Sequence, residues 1–201
     1  MTSAFGGASI DGSACTDVVD LAGRSPGWLD TAVAAWSAYG LAVFALLMVL
    51  GRRQARRTGA VTAVTALAAP VVVVLAYGVD AVLKLVVRED RPCRNLHMRT
   101  LEACPAPGDR SFPSNHSAIA AATAVALVFV SRRLGAVAAL AALAMAASRA
   151  WVGAHYPHDV AAGVLVGGLA AFAAMSLLRR WAQTLARRLS ATVLRPLLAA
   201  P

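Results

Sequence analysis

The sequence predicts an all-α fold: a polytopic membrane helical bundle of about five transmembrane helices, N-terminus outside and C-terminus cytoplasmic. Three observations predict it. Apolar residues make up 59% of the 201 residues and charged ones only 14%, far from the balance of a soluble globule. The apolar residues come in long runs rather than amphipathic stripes. The basic residues, all arginine except Lys84, gather at the ends of those runs. The net charge of +9 could suggest nucleic acid. No basic stripe with interleaved aromatics accompanies it, so it reads as membrane topology and not as nucleic-acid binding.

In chain order, residues 1–30 are polar, contain glycine and carry Asp11, Asp17, Asp20 and Asp30. They are expected to form a loose extracytoplasmic tail ending in a short interfacial helix around Trp28. They show no basic n-region or compact apolar core, so targeting is expected to rely on the first spanning helix. Residues 31–178 form the membrane domain. Thr31 to Leu50 is apolar for about 20 residues, enough to cross roughly 30 Å of hydrocarbon. It ends in Arg52, Arg53, Arg56 and Arg57. A second run, from about Gly59 to Val87, contains Pro70, Asp80 and Lys84. A polar loop follows to about Pro113. Apolar sequence resumes from Ser117 to Val130, is cut by Arg132 and Arg133, and continues from Leu134 to Ala147. These two runs are short, and they are expected to extend into the motif residues at their outer ends, to Ser114 and Ala150. A fifth run covers Val160 to Leu178. Residues 179–201, with Arg179, Arg180, Arg187, Arg188, Arg195 and Trp181, read as a cytoplasmic amphipathic basic tail lying on an anionic membrane face.

Five spans place Arg52–Arg57, Arg132–Arg133 and the C-terminal tail on one side. That side holds eleven of the nineteen basic residues and none of the ten acids. It is therefore the cytoplasmic side. The polar loop and the stretch from Ser148 to Asp159 then face the extracytoplasmic side together.

Three polar clusters share that outer face. In the first, Lys84 and Arg91 are seven residues apart, about two helical turns, so both can point the same way before Pro92 stops the helix. The second is Ser111-Phe112-Pro113-Ser114-Asn115-His116, where free backbone N–H groups at a helix start and the Ser114 hydroxyl can hold an anion. The third, Ser148 to Asp159, sets Arg149 at the end of one helix, His155 in the turn and Asp159 in the first turn of the next, behind Pro157. Each has a plainer reading alone. Lys84 and Arg91 could be snorkelling anchors, His116 a helix cap, Arg149 an interfacial arginine, and Asp80 the neutralising neighbour of Lys84. His97 and His158 have no motif reason to act and read as surface residues. Cations, a hydroxyl, two histidines and a carboxylate brought to one membrane face point instead to phosphate chemistry.

The spacing Lys84-x6-Arg91-Pro92, Pro113-Ser114-Asn115-His116 and Ser148-Arg149-x5-His155-x3-Asp159 resembles the type-2 phosphatidic-acid phosphatase superfamily, which shares its helical core with the vanadium haloperoxidases. Asn115 stands where the usual pattern has glycine, which leans towards the bacterial undecaprenyl-diphosphate phosphatase branch. Asn tolerates unusual backbone angles better than most residues.

The resemblance implies that His155 is the nucleophile and passes through a phosphohistidine. Asp159 would orient it, and His116 would protonate the leaving oxygen and then activate water. Lys84, Arg91, Ser114, Asn115 and Arg149, with nearby amides, would bind the phosphate. It implies no cofactor and no metal, and the sequence offers no carboxylate cluster or His/Cys spacing suited to a metal. The substrate implied is undecaprenyl or another polyprenyl diphosphate. The alternatives are phosphatidic acid, phosphatidylglycerol phosphate, a polyprenyl-phosphoryl sugar phosphate, or transfer to an acceptor other than water. An anion transporter is the reading from another class, and neither an inverted repeat nor glycine-broken helices support it. Three cysteines allow at most one internal bridge. Cys93–Cys104 would stiffen the outer loop, with Cys15 pairing to either as the competitor.

Overall fold

The computed structural model describes residues 7–96, 98, 100–106 and 108–198; the His97 expectation falls outside them. Among the described residues every regular element is helical: α1 (Gly7–Gly23), α2 (Gly27–Tyr39), α3 (Leu41–Thr58), α4 (Ala60–Val87), α5 (Pro92–Asn95), α6 (Asn115–Val130), α7 (Arg132–Trp151) and α8 (Pro157–Ser190), then a 3-10 turn at Arg195–Leu197. Three helices, α4, α7 and α8, are long and apolar enough to cross a membrane. The α2–α3 pair passes the same test jointly, bent by 55° at Gly40. α6, with 16 residues, is apolar but shorter, about 24 Å at 1.5 Å per residue.

The segment expected to be a loose tail is instead helical over α1, which packs against α5, α7 and α8. Its sequence lacks a strong apolar stripe, and tertiary contact supplies the order: Cys15, Val19 and Ala22 are buried. At the other end, α8 runs without a break through Arg179 and Arg180 to Ser190, so most of the basic segment continues the last apolar helix.

α6 is the centre of the bundle and packs on α4, α7 and α8. Its neighbours can come so close because it is built of alanine: Ala118, Ala120, Ala121, Ala122, Ala124 and Ala126 are all buried. On α8, Gly163 and Gly167 face Ser114 and Ala118 one turn apart; a Cβ on Gly167 would come within 2.7 Å of Ala118 main-chain atoms. Small residues that admit backbone to backbone are how helices associate where lipid removes the hydrophobic drive between them. Larger side chains fill the periphery of this core, with Phe44, Leu47, Leu127 and Met145 on one flank and Val72, Val73 and Met175 on the other. Pro70 sits inside α4 without ending it.

This packing gathers several helix ends at one end of the bundle. α4 stops at Arg88, which takes a left-handed conformation (φ 52°) and turns the chain towards Glu89 and Arg91. α6 starts after Ser114, α7 ends beyond Arg149, and α8 starts at Pro157. A disulfide joins Cys93 and Cys104 across the intervening loop, with Cα atoms 6.0 Å apart.

Candidate active site

His155 occupies the tight turn between α7 and α8, fully enclosed. Gly153, at φ 74°, supplies the left-handed step that the turn needs. The partners of His155 fix its tautomer. Arg91 Nη1, which can only donate, lies 3.2 Å from Nε2, so Nε2 carries the lone pair and the proton is on Nδ1. Nδ1 lies 3.4 Å from Ser111 Oγ and 3.6 Å from Asp159 Oδ2, and Ser111 in turn donates to Asp159 Oδ2. At 3.6 Å the direct His155–Asp159 approach is an ion-pair distance rather than a hydrogen bond. Ser111 is the bridge that carries Asp159's hold on the ring. The same Asp159 oxygen also accepts the Tyr156 N–H at 2.9 Å, which pins the carboxylate to the start of α8. Burial pushes the His155 imidazole down to about 3, and Arg91 and Arg149 add to the depression against the pull of Asp159. The ring is therefore neutral at ordinary pH, with a free lone pair facing Arg91.

Of the cations, Arg91 meets that lone pair directly. Arg91 is almost fully buried; besides His155 it donates from Nη1 to Ala154 O at 2.8 Å. Its Nη2 meets both oxygens of Asp109 at 3.2 Å. Arg149 Nη1 lies 3.2 Å from both oxygens of Glu102 and also donates to Ser37 Oγ. The Nε atoms of Arg91 and Arg149 and the Asn115 Oδ1 are buried and find no hydrogen-bond partner among the described residues. Lys84 Nζ donates to Arg110 O at 2.9 Å, so it braces the loop that carries Asp109. A cavity of about 220 Å3 opens beside Lys84, Asp109 and Arg110. A cavity of about 610 Å3 lies at the opposite end, among Val61, Phe129, Arg132 and Arg179, and its lining includes hydroxyls (Thr62, Thr65, Ser131) but no histidine or carboxylate.

Ser114 is fully buried at the head of α6. Its main-chain N–H is committed to Asp159 O at 3.0 Å, and its hydroxyl accepts from Ser117 at 3.1 Å, which leaves the Ser114 hydroxyl proton to offer. His116 follows in the first turn of α6, half-buried, within electrostatic reach of Arg149, Glu102, Arg91 and Lys84. The structure thus brings His155, Asp159, Arg91 and Ser114 into one connected network, with Arg149, Lys84, Asn115 and His116 around it.

Several participants escape a sequence reading. Ser111 lies within the second cluster and carries the Asp159 bridge. Asp109, Glu102 and Ser37 cover the two arginines from loop and α2 positions no spacing rule links to them. His158 corrects the surface expectation most clearly: its side chain is 19% exposed, and it meets Asp11, Glu89 and Asp159. The available signal was its place beside Asp159 at the start of a helix. Glu89, His158 and Asp159 also present three potential metal-ligand atoms within 4.8 Å of one another, a cluster that no spacing in the sequence announces.

An apolar helical bundle that encloses a histidine of fixed tautomer, an orienting carboxylate and buried guanidinium groups at one end defines a membrane protein built for phosphoryl chemistry. The chain belongs to the PAP2 superfamily, whose family model matches residues 65–183, and it is a phosphatase of that superfamily. It is 30% identical over 148 residues, 72% of each chain, to a Bacillus subtilis protein named undecaprenyl-diphosphatase BcrC. It is 40% identical over 63 residues, 31% of each chain, to a Bacillus licheniformis protein named bacitracin transport permease protein BcrC. No solved structure matches it.

Proposed function

We propose that this chain removes the terminal phosphate of a polyprenyl diphosphate, undecaprenyl diphosphate above all, through a phosphohistidine at His155. One observation carries the reading: the Nε2 lone pair of His155 faces Arg91, while Nδ1 is held by Ser111 and Asp159. The guanidinium that grips the phosphate also faces the nitrogen that attacks it. The name of the Bacillus subtilis relative supports the choice of substrate.

In the first half-reaction Nε2 attacks the terminal phosphorus and the bond to the bridging oxygen breaks. Arg91, Arg149, Lys84 and the Ser114 hydroxyl stabilise the charge on the equatorial oxygens. His116 protonates the departing oxygen of the lipid monophosphate. In the second half-reaction His116 takes a proton from water, the hydroxide attacks the phosphohistidine, and orthophosphate leaves with His155 restored. Asp159, through Ser111, keeps the Nδ1 proton in place and stabilises the ring as it becomes cationic. Charge neutralisation falls to the side chains, and no step needs a metal ion.

The orientation belongs to the same proposal. The bent α2–α3 pair, α4, α6, α7 and α8 make five spans, with the arginine-rich ends in the cytoplasm and the site on the extracytoplasmic face. A diphosphate head there stays in water while its tail remains in the bilayer.

The test is phosphate release by the purified protein in detergent with EDTA, compared across a polyprenyl diphosphate, phosphatidic acid and phosphatidylglycerol phosphate. The polyprenyl diphosphate should be preferred and His155→Ala should be inactive on it. Activity retained in His155→Ala overturns the mechanism. Preference for another lipid overturns the substrate.

A further inference from the structure

His158 takes no part in the steps above, yet it is among the most heavily partnered side chains of the site. Its main-chain N–H donates to Asp11 Oδ2 at 2.8 Å, and its ring Nδ1 lies 2.8 Å from Asp11 Oδ1. On the other side Nε2 lies 3.1 Å from Glu89 Oε2 and 3.3 Å from Asp159 Oδ1. The ring is stacked against Tyr156 at 5.4 Å and Phe112 at 6.0 Å, so it cannot readily turn away. Three carboxylates thus converge on one imidazole from three segments: α1, the turn after α4, and α8.

A neutral imidazole has one N–H to give. With that proton donated to Asp11, a bare Nε2 would set its lone pair against two carboxylate oxygens in an enclosed region. Glu89 is 1% exposed and Asp159 is fully buried. Glu89 Oε1 has no hydrogen-bond partner among the described residues, so His158 supplies the bond that Glu89 makes through its other oxygen. Burial pushes the Glu89 carboxyl upward, and the His158 bond opposes that push. A doubly protonated ring answers the charge on every side: one N–H goes to Asp11 and the other to Glu89, while the cation lies 3.3 Å from Asp159 Oδ1, an oxygen with no hydrogen-bond partner among the described residues.

We propose that His158 is a positioning residue whose imidazolium holds Glu89 and Asp159 side by side behind the nucleophile and fastens α1 to the site through Asp11. Through Asp159 it keeps Ser111 and the His155 ring in register. The proposal rests on the reading of His155 as nucleophile and Asp159 as its orienter. Remove the cation and two buried carboxylates face each other unscreened; one must turn away or take a proton. Asp159 can do neither without loosening its bond to Ser111.

The test uses phosphate release from a polyprenyl diphosphate in detergent micelles, with kcat expressed per folded enzyme. His158→Gln, polar and of similar size but uncharged, should lower kcat by about tenfold or more, because displaced catalytic geometry costs rate steeply. KM should stay within about twofold, because Lys84, Arg91 and Arg149 still hold the phosphate. Adding Glu89→Gln removes the repulsion, and the double variant should recover most of the lost kcat. A purely structural His158 would give the opposite order, with the second substitution compounding the first. Unchanged kcat in His158→Gln, or a double variant slower than the single, overturns the proposal. So does wild-type activity that EDTA abolishes and a divalent cation restores, with the restoration lost in His158→Gln, since that points to a metal ion where the Nε2 proton is assigned. An active His155→Ala variant would remove the underlying reading of the reaction. An inactive His155→Ala beside a His158→Gln at full kcat refutes this inference alone.

Discussion

Gly163→Ala should damage catalysis although Gly163 has no side chain to take part in the chemistry. Gly163 lies one turn beyond Asp159 on the face of α8 that meets the head of α6. A Cβ built there would stand 2.5 Å from Ser114 O, 3.1 Å from Ser117 Cβ and 3.2 Å from Ser114 N. Two of these are main-chain atoms and cannot swing aside. Ordinary contact begins near 3.4 Å, so relief needs α8 to retreat by about 0.9 Å, and overpacking of this kind costs about 1–3 kcal/mol. Such a retreat stretches the Ser114 N–H···O Asp159 bond, now 3.0 Å, past useful length and draws Asp159 away from Ser111. A displacement of about 1 Å in a catalytic group costs up to roughly a hundredfold in rate. We therefore expect kcat on a polyprenyl diphosphate to fall by about ten- to a hundredfold and the melting temperature in detergent to drop by several degrees. Gly168→Ala is the matched control. Its Cβ would meet nothing nearer than Val125 Cγ2 at 4.0 Å, and alanine favours a helix over glycine by about 1 kcal/mol. Wild-type rate and melting temperature in Gly163→Ala, or equal damage from Gly168→Ala, would refute the reasoning.

Three further outcomes follow from the site. Asp109, 46% exposed on its side chain, pairs with Arg91, the proposed phosphate ligand; Asp109→Asn should tighten inhibition by orthophosphate about two- to fivefold, the scale of an exposed ion pair, and weaker inhibition would count against Arg91 as that ligand. His155 is held near 3 while a histidine in an unfolded chain titrates near 6.5. Protons therefore favour the unfolded form, and the stability due to His155 is complete above about 6.5 and is lost as pH falls towards 3. The melting temperature should decline over that window more steeply in the wild type than in His155→Asn; parallel declines would refute it. The Cys93–Cys104 bridge spans 11 positions, which in the chain-entropy account contributes about 3 kcal/mol. Cys93→Ser should lower the melting temperature as far as dithiothreitol lowers that of the wild type, and an unchanged value in both would show that the bridge contributes nothing.

The parts of the site legible in the sequence are those where helix ends and spacing restrict the options. Lys84 and Arg91, Ser114 and His116, and Arg149, His155 and Asp159 fall at termini of apolar runs, and such charges at membrane depth need a reason. Their partners were not legible, because a partner is chosen by tertiary approach. Ser37 comes to Arg149 from 112 residues away, and Asp11 reaches His158 across 147. α1 was missed for a related reason. Its mixture of Gly, Ser, Thr, Val and Asp has little helical drive of its own, and its order comes from burying Cys15, Val19 and Ala22 against the bundle. Composition changes at Arg179 and so suggests a separate helix over residues 179–190, yet α8 runs through that point unbroken to Ser190. Composition marks a change of environment and need not mark a change of secondary structure.

The carboxylates around the site divide by how far water reaches them, and that division suits the phosphate cycle proposed above. Buried arginines are costly without a counter-charge, so Arg91 and Arg149, the proposed phosphate ligands, need another partner when no phosphate is bound. Asp109 and Glu102 do this from a loop, on side chains 46% and 28% exposed. A carboxylate that water can reach is cheaply released, and an arriving phosphate with more charge and more acceptor oxygens can displace it. Glu89 and Asp159 are the reverse case, 1% and 0% exposed on their side chains and held by His158, Ser111 and the start of α8. Their release would strand a buried charge, so they stay in place throughout. Exchanging the two kinds should separate their roles: neutralising Asp109 or Glu102 alters how tightly phosphate binds, whereas disturbing the Glu89–His158–Asp159 set alters how fast bound phosphate reacts.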